Sequence, residues 1–115
     1  LEAVREKRRG DWFVAHTEDG RTVGLATARI CGEADCRVDA VTHHHHRSAL
    51  QDLLDVAMNW ARTHGAMGCH AAISCEDTDK QQHFKALGFQ PTEEAVVFEM
   101  GDRVVEGYLW SHGTT

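Results

Sequence analysis

One amphipathic helix set between two apolar, strand-like segments leaves few folds open to this chain. Leu50, Leu53, Leu54, Ala57, Met58 and Ala61 recur at i, i+3, i+4, i+7, i+8 and i+11, which is one apolar stripe at helical period. Arg37–Thr42 (RVDAVT) leads into that helix, and Cys69–Cys75 (CHAAISC) follows it, bounded by Gly68 and Glu76. Strands joined through a helix pair in parallel, so this stretch predicts a crossover unit with a buried second strand. Ser48 followed three residues later by Gln51 has the capping-box pattern, and Gly65 suits the residue just past the helix end.

The flanks complete a sheet. Asp11–His16 (DWFVAH) is aromatic and β-branched, Glu18-Asp19-Gly20 is a turn signal, and Val23–Ile30 (VGLATARI) reads as the antiparallel partner. Cys31–Cys36 forms the next turn, which makes Arg37–Thr42 the third strand of a meander. A shorter helix is predicted from Thr78 to Leu87, ending at Gly88. Ala95–Met100 and Val104–Trp110 are strands around Gly101-Asp102. Leu1–Arg9 reads as the end of a helix carrying Leu1 and Val4. The order β-β-β-α-β-α-β-β predicts an α/β fold, a mixed sheet flanked by helices, within a single domain spanning 1–115.

Charge narrows the function classes. Twelve Lys and Arg against 18 Asp and Glu give a net charge of −6. That balance disfavours nucleic acid as a partner and suits a cationic small molecule better. No apolar run is long enough to span a membrane, and a polar start unlike a signal peptide predicts a cytoplasmic protein. The basic cluster Arg5, Lys7, Arg8 and Arg9 is offset by Glu2 and Glu6 and reads as a solvated helix end. The spacing of Cys31, Cys36, Cys69 and Cys75 is not that of a zinc site, so reduced, partly buried thiols are expected, with a Cys31–Cys36 disulfide across a hairpin left open. In an extended segment His43-His44-His45-His46 would present alternate rings to one side, so at most two could chelate, and no metal site is assigned.

Three local features resemble the GNAT (GCN5-related N-acetyltransferase) family, over about Asp11 to Met100. Arg37-Val38-Asp39-Ala40-Val41-Thr42 leads straight into the helix that ends Asn59-Trp60-Ala61-Arg62, as the family's central strand leads into its cofactor helix. His83-Phe84-Lys85-Ala86-Leu87-Gly88-Phe89 is similar to the family's FYEKLGF ending of the second helix, and Asp77 stands where the family often has Asn. The resemblance implies a mixed sheet whose two central parallel strands splay apart to take the pantetheine arm of acetyl-CoA. It also implies acetyl transfer to a primary amine of a small molecule or peptide by direct attack. On that footing acetyl-CoA is the cosubstrate and a homodimer is a possible assembly. Little of the family's usual first strand and helices is expected before Asp11, as in a fragment, a processed product or a minimal variant, and a second subunit is one way to cover the sheet edge.

Carried over residue by residue, Val41 and Thr42 lie along the cofactor, and Arg47, Ser48, Ala49, Leu50 and Gln51 form the diphosphate turn. Asp77 and Phe84 complete that set. Asp39 or His70 would take the acceptor's proton, against plainer readings as a solvated strand residue and a hydrogen-bonded structural histidine. Two departures stand out: His45–Gln51 contains no glycine where the family's turn is glycine-rich, and Phe84 replaces the tyrosine that often protonates the leaving thiolate. Both favour the alternative, a catalytically inactive GNAT-like module that binds CoA or a protein partner. Trp12, Trp60, Phe89 and Phe98 are expected in the core or an interface, with Tyr108 and Trp110 beside an acceptor pocket or a dimer contact.

Overall fold

The computed structural model describes residues 10–32 and 34–113. The helix expected over Leu1–Arg9 lies outside them. Six strands and two helices follow the predicted order: β1 Gly10–His16, β2 Thr22–Cys31, β3 Asp35–Thr42, α1 Ala49–Thr63, β4 Gly68–Ser74, α2 Thr78–Ala86, β5 Gln90–Met100 and β6 Arg103–Gly113. They build one sheet in the order β1-β2-β3-β4-β6-β5, with β3 and β4 parallel and every other pairing antiparallel.

Alternation along the strands decides which face carries the core. Cys36, Val38 and Ala40 of β3, with Cys69, Ala71 and Ile73 of β4, are buried against α1. The whole predicted stripe of α1 is buried there, together with Trp60. Phe84 of α2 and Phe89 join the same cluster. The opposite face carries Trp12, Thr27, Asp39 and Ala72. Trp12 is therefore 72% exposed rather than a core residue, because it alternates with Phe13, whose side chain takes the packed side. No helix among the described residues is long and apolar enough to cross a membrane.

Two local expectations are corrected. Ser48 makes no capping bond, because it already has helical dihedrals (φ −63°, ψ −23°). His43 is extended instead, and its Nδ1 accepts the His45 N–H at 3.3 Å, so a 3-10 turn over His44–His46 begins upstream of α1. Helical backbone thus starts four residues before the serine, beyond its reach as a cap. The second correction concerns β5, which begins at Gln90, not Ala95, with a register shift between Pro91 and Ala95. At the edge of the sheet the missing proline N–H costs no ladder bond. Cys31 and Cys36 are free thiols, the expected state, and the disulfide left open between them is not formed: Cys31 pairs in register with Asp35 and Cys36 with Ile30, so the two do not face each other.

Gly65 and Gly88 end the helices as expected, at φ +85° and +97°. Gly107 is demanded by space: a Cβ there would stand 2.3 Å from the Ile73 carbonyl oxygen and 2.9 Å from the Ser74 Cα. Those atoms are backbone of the neighbouring β4 and cannot swing aside. Gly107→Ala is expected to cost about 1–3 kcal/mol, read as a lower urea midpoint at unchanged slope.

Candidate functional site

The ladder between β3 and β4 is brief. It holds Asp35 to Gly68, Cys36 to Cys69 and Arg37 to His70, and there it stops. Beyond that point β3 continues to Thr42 and β4 to Ser74 without pairing to each other, although each keeps its outer antiparallel partner. A wedge therefore opens in mid-sheet, edged by backbone groups that lack a ladder partner across the gap. An extended, amide-bearing ligand is what such an edge accepts.

At the closed end Cys36 and Cys69 are buried side by side. Their thiols share a hydrogen bond that holds Cys36 below the ordinary thiol range. The same bond, with burial added, pushes Cys69 well above it. His70, at the last paired position, lies half-buried on the same face as Asp39.

Arg47 bridges the open end. Its guanidinium donates to Thr42 Oγ1 at 3.4 Å on the β3 side, to Asp77 Oδ1 at 2.6 Å, and to Asp79 Oδ2 at 3.4 Å. These residues, with His44, Ser74, Glu76, Thr78 and Met100, line a cavity of about 420 Å³. Asp77 also accepts the Lys80 N–H at 3.1 Å, so one carboxylate caps α2 and neutralises Arg47. Ser48 and Ala49 stand at the start of α1 beside Arg47, with no side-chain cap on its first turn. Leu50 differs from the expectation: its side chain is fully buried in the core and its N–H is bonded to the Arg47 carbonyl at 3.1 Å. Gln51 turns toward α2, where its Oε1 meets His83 Nδ1 at 3.0 Å. Only His43 is extended, and the four histidine rings pack together, with His44 and His45 ring centroids 3.9 Å apart. Partial desolvation, then the neighbouring imidazoles and Arg21, hold His43 below the usual histidine range, so its ring is a poor cation for an anionic ligand.

On the face opposite the two described helices a second cavity, about 540 Å³, is lined by Trp12, Thr27, Arg29, Arg37, Asp39, Ala72 and Phe98 among others. Asp39 projects there from β3. Its Oδ1 accepts the Ala40 N–H at 2.8 Å and the Lys80 Nζ at 3.1 Å. Lys80 belongs to α2, on the core side of the sheet, so its side chain reaches Asp39 by passing between the parted strands. Among the described residues it alone combines charge with burial. Sequence reasoning missed it, though its position four residues before Phe84 was a signal: i and i+4 share one helix face, and that face carries the apolar anchor of α2. Phe84 is fully buried against Phe89, so its ring does not line the gap. Tyr108 is 43% exposed and Trp110 is packed into the core, yet both line a further cavity with Pro91 and Thr92.

No protein-family model matches the sequence, and no curated protein matches it. Solved structures do. An acetyltransferase of the GNAT family from Streptococcus pneumoniae is similar at TM-score 0.76 and 11% identity, over 97% of this chain and 71% of that one. The spermidine/spermine N-acetyltransferase SpeG from Vibrio cholerae, in mutant forms, is similar at TM-score 0.75 and 12% identity, over 98% and 72%. The ribosomal-protein-alanine N-acetyltransferase from Brucella melitensis is similar at TM-score 0.72 and 16% identity, over 89% and 67%. With its six-stranded mixed sheet, its parted central strands and these likenesses, the chain has the GNAT fold.

Proposed function

We propose that this protein is an acetyl-CoA-dependent N-acetyltransferase that acylates a primary amine of a small molecule or peptide. The observation that carries the reading is the mid-sheet wedge, which joins an Arg47-bearing mouth to the Asp39 carboxylate on the opposite face. Acetyl-CoA would supply an acyl thioester. The freed backbone edge at Val41 and Thr42 holds the amide-bearing arm, while Arg47 and the N–H groups of Ser48 and Ala49 face the diphosphate. Asp77 acts through Arg47, and Gln51 ties α1 to α2 behind the turn. Asp39 takes the proton released by the acceptor amine, with His70 on the same face as the second candidate. The names of the SpeG structures mention amine substrates of this kind. A second copy of the chain is a fitting partner at the β1 edge, where Trp12 and Val14 are exposed.

Thermal stabilisation by acetyl-CoA, followed by release of free thiol when amines are added, is the expected result. Stabilisation without thiol release would favour the alternative, a catalytically inactive CoA-binding or protein-interaction module. Two features speak for that alternative: the Arg47 charge is already matched by Asp77 and Asp79, and Phe84 carries no hydroxyl. Absence of both stabilisation and turnover would remove the acetyltransferase and CoA-binding readings and leave the protein-interaction module.

The pairing of Arg47 makes a directional prediction. Asp77→Asn keeps an oxygen for the Lys80 N–H but removes the charge facing Arg47. We expect CoA to bind about 3- to 10-fold tighter by calorimetry, since a partly exposed ion pair of this kind is worth roughly 1 kcal/mol. Weaker binding by that variant would show that Asp77 serves the ligand and does not compete with it.

A further inference from the structure

We propose that Lys80 is itself an acyl acceptor, so that the protein acetylates its own Nζ inside the strand gap. The inference rests on the proposed use of an acyl thioester, and it deepens that reading by naming a substrate amine the chain already holds.

Three observations converge on Lys80. It carries a primary amine on a side chain only 11% exposed. Its Nζ lies 3.1 Å from Asp39 Oδ1, the carboxylate best placed to receive a proton from an amine. The carboxylate it meets lies two residues past Arg37, the last residue of β3 paired to β4, so the amine stands where the ladder has already ended. An ordinary structural ion pair needs only the second of these. A tethered amine beside its base also has an effective concentration that no dissolved amine matches.

The step balances without another reactant. Lys80 gives a proton to Asp39, and its neutral Nζ attacks the thioester carbonyl. The C–N bond forms, the C–S bond breaks, and the second proton shed by the acylated nitrogen goes to the thiolate, which leaves as free thiol. Acetyl-lysine has no charge, so the pair with Asp39 is lost after one turnover, and the carboxylate is released toward the 540 Å³ cavity. Modification is therefore limited to one acetyl group at this position.

The chain provides its own control, because its lysines are Lys7, Lys80 and Lys85, and Lys85 is exposed on the same helix. The full chain is incubated with acetyl-CoA and no added amine, then analysed by intact mass and peptide mapping, with CoA binding measured separately by calorimetry. We expect one acetyl group on Lys80, none on that peptide in Lys80→Arg or Lys80→Met, and labelling slowed about 100-fold or more in Asp39→Asn. Lys80→Arg preserves a cation for Asp39, so a folded variant is available if Lys80→Met is unstable. Labelling of Lys85 as fast as Lys80 overturns the proposal, because it marks non-enzymatic acylation. CoA binding with thiol release to added amines but an unmodified Lys80 overturns it while the acetyltransferase reading stands. Absence of binding, labelling and turnover removes both, and leaves Lys80–Asp39 as a structural ion pair.

Discussion

Asp39→Asn is expected to lower turnover of an added amine by about 100- to 10,000-fold, the range general base catalysis covers. Asparagine is nearly the same shape and still offers an oxygen to the Ala40 N–H and to Lys80 Nζ. It cannot accept and carry away a proton. Folding should be little affected, because the Asp39 side chain is 56% exposed and such pairs contribute about 0–1 kcal/mol. The decisive comparison is KM against kcat: loss of kcat at unchanged acetyl-CoA KM, with the thermal midpoint preserved, assigns Asp39 to proton transfer. An unchanged kcat would transfer that role to His70 or to water, and the same substitution at His70 would then be the one that slows the reaction.

Much of this architecture is written in periodicity. The stripe from Leu50 to Ala61 could bury itself only against a sheet, and RVDAVT and CHAAISC, lying on either side of it, had to be parallel. Both helix stops were legible because positive φ past a helix end selects glycine at Gly65 and Gly88. Capping was misread for a physical reason. Ser48 matched a local pattern, but the chain had already turned helical through His44–His46, a run whose stacking no propensity describes. The first half of β5 was not legible: Pro91 speaks against a central strand, and only the sheet order places it at an edge.

The candidate site divides along similar lines. Asp39 and Arg47 could be marked from the sequence through the resemblance of the strand and the turn that carry them. What each one pairs with was not legible, since Lys80 lies 41 residues from Asp39 and Asp77 lies 30 from Arg47. Those separations are bridged only when β3 and β4 run parallel and part after three pairs. The parting itself leaves no local mark, because nothing in Val38–Val41 differs from an ordinary buried strand.

The second large effect concerns Phe84, whose position invites a catalytic role that its surroundings refuse. Its ring is fully buried and meets Phe89 edge-on at 4.8 Å, while its carbonyl accepts the Phe89 N–H at 3.0 Å. Phe84→Ala is expected to cost about 3–5 kcal/mol through lost burial and the cavity left behind. In a chain of this size that lowers the melting temperature by roughly 12–40 °C, at about 4–8 °C for each kcal/mol. Phe84→Tyr separates packing from chemistry. If the ring serves the core, its new hydroxyl enters a space without water and costs about 1–3 kcal/mol, with no gain in turnover. If the ring instead borders the acyl arm, the hydroxyl finds a partner there, stability is retained and thiol release quickens. Zero exposure and the contact with Phe89 favour the first result, and with it a proton for the departing thiolate that comes from the acylated amine or from solvent.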